Sequence, residues 1–191
     1  DKRMKKILLT MFVFLCLLNV SCSTAHYPPI ESEVPLIISV NIKDNTISFV
    51  DADKKERIAN WEMKKAYSGG LLFPDGDTLL LFGKHQEKAD LYSLSTGKKI
   101  DEWKVGSGIA NGIFIKNNEE IAFSDHEENA VRFFTLDGKE IGTAKTNYAP
   151  ITLLEDEQTH DLYVISHQSD KLIVLNHDGE KATHYTIHDV A

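Results

Sequence analysis

Three histidines recur at 41-residue intervals: His85 in "FGKHQEKADLYSLSTGKKI", His126 in "FSDHEENAVRFFTLDGKEIG" and His167 in "ISHQSDKLIVLNHDGEK". The second has carboxylates beside it, Asp125, Glu127 and Glu128. Imidazole and carboxylate are the side chains that ligate divalent metals and carry protons. The chemistry to weigh is therefore a shared metal ion, a polar rim that binds a ligand, or polar loops that duplication has copied. A second group, His177, His184 and His188 in "HDGEKATHYTIHD", poses the same question. The elements that carry these residues decide it.

Those elements repeat. Trp61 in "RIANWEM" and Trp103 in "KIDEWKV" follow matching strand-and-turn patterns, "TISFVDADKKERI" and "ADLYSLSTGKKI". The frame returns in "AVRFFTLDGKEI" and "LIVLNHDGEKA", with Gly97, Gly138 and Gly179 again 41 apart. Within one copy, "GLLF", "TLLLFG", "ADLYSL" and "KKIDEWKVG" are short apolar runs bounded by Gly, Pro and Asp, which reads as four strands. No sustained helical periodicity follows residue 21. Four-stranded units of this length cannot bury both faces alone and stack around an axis, so the expected class is all-β, a β-propeller with about four blades of four antiparallel strands. The blades span 36–65, 69–106, 110–147 and 150–188. Naming the strands a to d from the inside outward, the first copy has only b, c and d ("LIISVN", "TISFVDA", "RIANWEM"). Fifteen strands result, and the reading expects further blades to complete a ring of six or seven, with a four-bladed ring as the alternative.

"FPDGDTLLLFG" and "ADLYSLSTGKKIDEWKVG" resemble the strand pairs of bacterial YVTN-type propellers, relatives of WD-repeat, lactonase-like and quinoprotein-like blades. The resemblance covers residues 36 to 188. It implies ligand sites on the end of the blades where the b–c loops and the loops from d to the next a open. His85, Asp125, His126 and His167 are the ligand-binding candidates on that end. A shared metal is disfavoured: zinc holds imidazole nitrogens at about 2.0–2.1 Å, and the b–c loops lie two strand spacings of about 4.8 Å out from the axis, where blades diverge. His184 and His188 are four apart, about 13 Å on a strand, which is too far to chelate. Asp75 and Asp77 of "PDGD" are read as turn residues, and the tryptophans as packing between blades. No metal site, catalytic constellation or cofactor is expected.

The N-terminus carries an address. Residues 1–21 hold a basic start (Lys5, Lys6), an apolar run from Ile7 to Val20 and then small residues, the layout of a secretory signal. This run of fourteen positions falls short of the roughly 20 that cross a bilayer. "LNVSC" resembles the lipobox of bacterial lipoproteins, which makes Cys22 the lipidation site, although Asn19 stands where an aliphatic residue is usual. Cleavage after Ala25, releasing a secreted protein, is the alternative. Residues 22–35 read as a linker, "STAHYPPIESEVP" being rich in prolines and charges. Cys16 and Cys22 are the chain's two cysteines, so none is left for a disulfide beyond them.

Removing residues 1–21 takes away four of 21 bases and one of 29 acids, leaving 17 against 28, a formal charge of −11. Such a surface repels nucleic acid. The sequence thus points to an envelope protein, lipid-anchored at the membrane, whose propeller face binds a protein or small molecule. The alternative is a lactonase-like or quinoprotein-like enzyme with active-site residues partly in other blades.

Overall fold

The computed structural model describes residues 26–31, 35–146, 148–167, 169–179 and 182–186; Cys22 and the signal segment lie outside them. No helix occurs among the described residues. The first blade comprises β1 (Leu36–Asn41), β2 (Thr46–Asp51) and β3 (Glu56–Glu62). The second is β4 (Gly69–Leu72), β5 (Thr78–Phe82), β6 (Lys88–Ser93) and β7 (Lys98–Lys104). The third is β8 (Ile109–Ile115), β9 (Glu120–Asp125), β10 (Ala130–Thr135) and β11 (Glu140–Lys145). The fourth is β12 (Pro150–Glu155), β13 (Leu162–Ser166), β14 (Lys171–Leu175) and β15 (Ala182–Thr186). Each sheet pairs its strands in sequence order and antiparallel, so every connection within a blade is a hairpin. The all-β propeller class expected from the strand pattern holds.

Why the middle strands are uninterrupted apolar runs follows from burial on both faces. In β5, Leu79 and Leu81 pack toward the first blade with Ile47, Phe49, Trp61 and Tyr92. Leu80 and Phe82, on the other face, pack toward the third blade with Leu91, Trp103, Ile121 and Phe123. Blades three and four share Ala122, Val131, Leu153, Val164 and Ile173. The far faces of the outer pair are more open, with Ile37 on the first blade and Leu154 and Ile165 on the fourth exposed.

Residues 26–31, within the stretch read as a linker over 22–35, dock against the blades. Tyr27 and Ile30 are buried. His26 bridges Lys98, the Tyr27 N–H donates to the Gly97 carbonyl at 2.8 Å, and the Ile30 N–H donates to the Leu94 carbonyl at 2.8 Å. The Tyr27 ring stacks on Trp61 at 5.0 Å, and Trp61 Nε1–H donates to the Pro28 carbonyl at 2.9 Å. Aromatic burial and backbone pairing outweigh the extended preference of a proline-rich stretch. The strap lies along the c–d turn of the second blade, at the end of the sheets opposite the b–c loops.

Gly97 explains one of the recurring glycines. Its φ is +66°, and a Cβ there would stand 1.8 Å from the Tyr27 carbonyl oxygen. Gly97→Ala therefore adds left-handed strain to a backbone clash. We expect a loss of about 2 kcal/mol, read by thermal unfolding, together with a changed near-ultraviolet circular dichroism of the Tyr27–Trp61 stack. An unchanged aromatic spectrum would mean that the strap does not depend on this approach.

Candidate functional site

Register places the candidate residues. Across the b and c strands, Ile38 faces Phe49, Leu80 faces Leu91, Ala122 faces Phe133 and Tyr163 faces Val174. Four residues after the first member of each pair stand Ile42, Lys84, His126 and His167. One residue from each blade thus occupies the same position at the start of the b–c loop. All four line a single cleft of about 420 Å³, whose wall includes Ser68, Ile109 and Ile151 from the d–a loops and innermost strands. Backbone bonds fix the two histidines at its edge: the His126 N–H donates to the Gly108 carbonyl at 2.8 Å, and the His167 N–H to the Ala149 carbonyl at 3.0 Å.

His85 stands one position further on, in register with Glu127 rather than with the other histidines. Its Nδ1 is 3.2 Å from Glu127 Oε1 and its side chain is 73% exposed. Ser107 Oγ–H donates to the other Glu127 oxygen at 2.8 Å, while Ser107's own carbonyl accepts the His85 N–H at 2.9 Å. His85 therefore joins the b–c loops of the second and third blades and steers a carboxylate.

Asp125 precedes His126 on the strand, so its side chain leaves the opposite face. It is fully buried. Its Oδ1 accepts the Glu128 N–H at 3.1 Å, and its Oδ2 is 3.5 Å from Arg132 Nη1. Arg132 in turn donates from Nε (2.8 Å) and Nη2 (2.9 Å) to the two oxygens of Glu140. That fork raises the guanidinium pKa and lowers that of Glu140. The three line a separate polar recess of about 460 Å³ between the second and third blades. Gly106 and Gly108 leave room for it, since a Cβ on Gly106 would be 2.0 Å from Arg132 Nη1 and one on Gly108 2.4 Å from Asp125 Oδ1.

The four candidates thus divide: His126 and His167 share the cleft, Asp125 belongs to the recess, and His85 lines neither. Sequence reasoning missed Lys84, Ile42 and Ser68. The available signal was the 42-residue spacing of Trp61 and Trp103. The 41-residue interval from Gly97 to Gly138 arises because the c–d turn of the third blade is one residue shorter, Thr135 to Gly138 against Ser93 to Gly97.

The remaining motifs are turns. Asp75 Oδ1 accepts the N–H groups of Asp77 and Thr78, both at 2.8 Å, and Asp77 accepts from Ser93 Oγ and the Ser95 N–H. Burial works against the ionised form of both carboxyls, yet these donors outweigh it and hold them below the usual range. His177 pairs with Asp178 at 3.2 Å in the c–d turn of the fourth blade, His184 lies in β15, and His188 is outside the described residues. Among the described residues, no group of three or more His, Cys, Asp or Glu is placed to hold a metal ion.

Sheets stacked face to face, with the loops of one end converging on a common cleft, define a β-propeller. No protein-family model and no curated protein matches the sequence. Solved structures similar in fold include a dihydro-heme d1 dehydrogenase, NirN, in complex with DHE, with a TM-score of 0.63 at 16% identity over 88% of this chain. A streptogramin B lyase follows at 0.64, 15% and 84%, and the virginiamycin B lyase of Staphylococcus aureus at 0.62, 13% and 84%. The chain spans 39%, 54% and 58% of their respective lengths.

Proposed function

We propose that this chain is an exported, lipid-anchored β-propeller that serves as a ligand-binding or protein-interaction module. The observation that carries the reading is the cleft of about 420 Å³ to which all four blades contribute one residue at an equivalent position. Concave sites of this size, apolar with a few convergent polar groups, are where proteins hold ligands. The lipobox-like "LNVSC" supports the anchor. With a lipid on Cys22, the four residues to His26 reach at most about 14 Å, which brings the strap end of the blades to the bilayer and turns the cleft outward.

Cys22→Ala is expected to move the protein from the membrane to the soluble fraction, with loss of an acyl mass from the N-terminal peptide. A variant that stays membrane-bound would sink the anchor, and a natural N-terminus at His26 would establish secretion instead. The binding role is tested separately, by ligand-induced shifts of the His126 and His167 imidazole resonances. An enzymatic reading draws on the neighbours, two named as lyases and one as a dehydrogenase. A compound that shifts those resonances and is converted to product would favour it.

A further inference from the structure

The charge lining the cleft differs from that of the chain as a whole. The protein has 29 acids against 21 bases, yet among the described residues lining the cleft the charged side chain is Lys84, accompanied by His126 and His167, and no Asp or Glu is present. The two carboxylates flanking His126 are engaged elsewhere, Asp125 with Arg132 and the Glu128 N–H, and Glu127 with His85 and Ser107. Ser68 also lines the cleft. Against these polar groups stand Ile42, Ile109 and Ile151.

Resting on the binding-module reading above, we infer that the cleft takes a small amphipathic organic anion. Its carboxylate is held by Lys84, His126 and His167, and its hydrocarbon part lies on Ile42, Ile109 and Ile151. Two features of the geometry combine here. The three nitrogen-bearing side chains occupy the same register position in successive blades and line the same cleft. The first blade supplies isoleucine at that position, which adds apolar surface to the cleft alongside Ile109 and Ile151. A doubly charged inorganic anion would satisfy the first feature and waste the second, while a neutral alkane chain would do the reverse.

Octanoate is the probe, titrated by calorimetry into the full chain, with 1-octanol and inorganic phosphate as the two halves of the ligand. Octanoate is expected to bind and to shift the His126 and His167 imidazole resonances. Lys84→Gln, at an exposed loop position, is expected to weaken binding about tenfold or more, the loss typical of one charge-assisted contact. His126→Gln with His167→Gln is expected to do the same, with far-ultraviolet circular dichroism unchanged. Equal affinity for 1-octanol would overturn the anionic half, and equal affinity for phosphate the apolar half. Undiminished binding by Lys84→Gln would overturn the assignment of the head group. If neutral or cationic compounds shift those imidazoles and octanoate does not, the binding module stands and this inference falls. If octanoate binds without shifting them, the cleft is not its site and this inference falls, while the binding module is judged by whether any other compound shifts them.

Discussion

Trp61→Ala is expected to destabilise the protein by about 3–5 kcal/mol, the range for emptying a buried tryptophan site. Trp61 is fully buried, contacts Phe49 edge-on at 4.8 Å between ring centroids, and carries the stacked Tyr27 on its other side. Its Nε1–H also holds the Pro28 carbonyl, so the substitution removes both the core of the first joint and the seat of the strap. Thermal unfolding should fall by roughly 10 °C for a chain of this size. Trp103→Ala is the control: Trp103 packs with Phe73 in the next joint, and its Nε1–H reaches Asp101 rather than the strap. Proteolysis near Tyr27 before global unfolding should appear in the Trp61 variant and not in the Trp103 variant. Equal cleavage in both would show that the strap is held independently of Trp61.

Asp90→Ala should cost about 3 kcal/mol at pH 7, toward the lower end of the range for breaking a buried ion pair. The carboxylate is wholly buried in β6. Lys65 Nζ stands 2.7 Å and Tyr67 OH 2.5 Å from one oxygen, and Lys99 Nζ is 2.6 Å from the other. Lys65 is 48% exposed and can turn to solvent when its partner is lost, which limits the penalty. Burial by itself would raise the Asp90 carboxyl, but Lys65, Lys99 and Tyr67 outweigh it, and its pKa lies below the ordinary value. A depressed folded-state pKa contributes stability that is fully present above the unfolded value of about 3.9 and is lost as pH falls through the folded one. The stability gap between native protein and variant should therefore be flat above about pH 5 and shrink on acidification below pH 4. A gap independent of pH down to 2 would show that the carboxylate charge is not what the lysines stabilise.

The strands were legible because both physical signals agreed. "TLLLF" is apolar on successive residues after its threonine, as burial between two neighbouring sheets demands, and Gly97, Gly138 and Gly179 mark turns with φ of +66°, +86° and +69°. The strap was not legible, since Tyr27 and Ile30 sit among prolines and charges and acquire a partner only when the first two blades meet. Cleft membership was hidden for a different reason. Which loop residue faces inward depends on strand register, and a turn one residue shorter made His85 look equivalent to His126 when Lys84 is. Asp90 did leave a trace, an acid between the apolar Ala89 and Leu91 with lysines at 65 and 99 to neutralise it. Nothing in the sequence paired Arg132 with Glu140 across β10 and β11.

The series Ile42, Lys84, His126, His167 also bears on how such a protein diversifies. Each of these side chains is carried by a different hairpin, and each hairpin is fixed by its own ladder and by cores that the four residues do not enter. A substitution at one position should leave the other three hairpins where they are, while residues that share a bound ligand should couple in choosing it. Four positions, exchanged singly or together, form a compact library through which the preferred ligand can be changed while the scaffold is left intact.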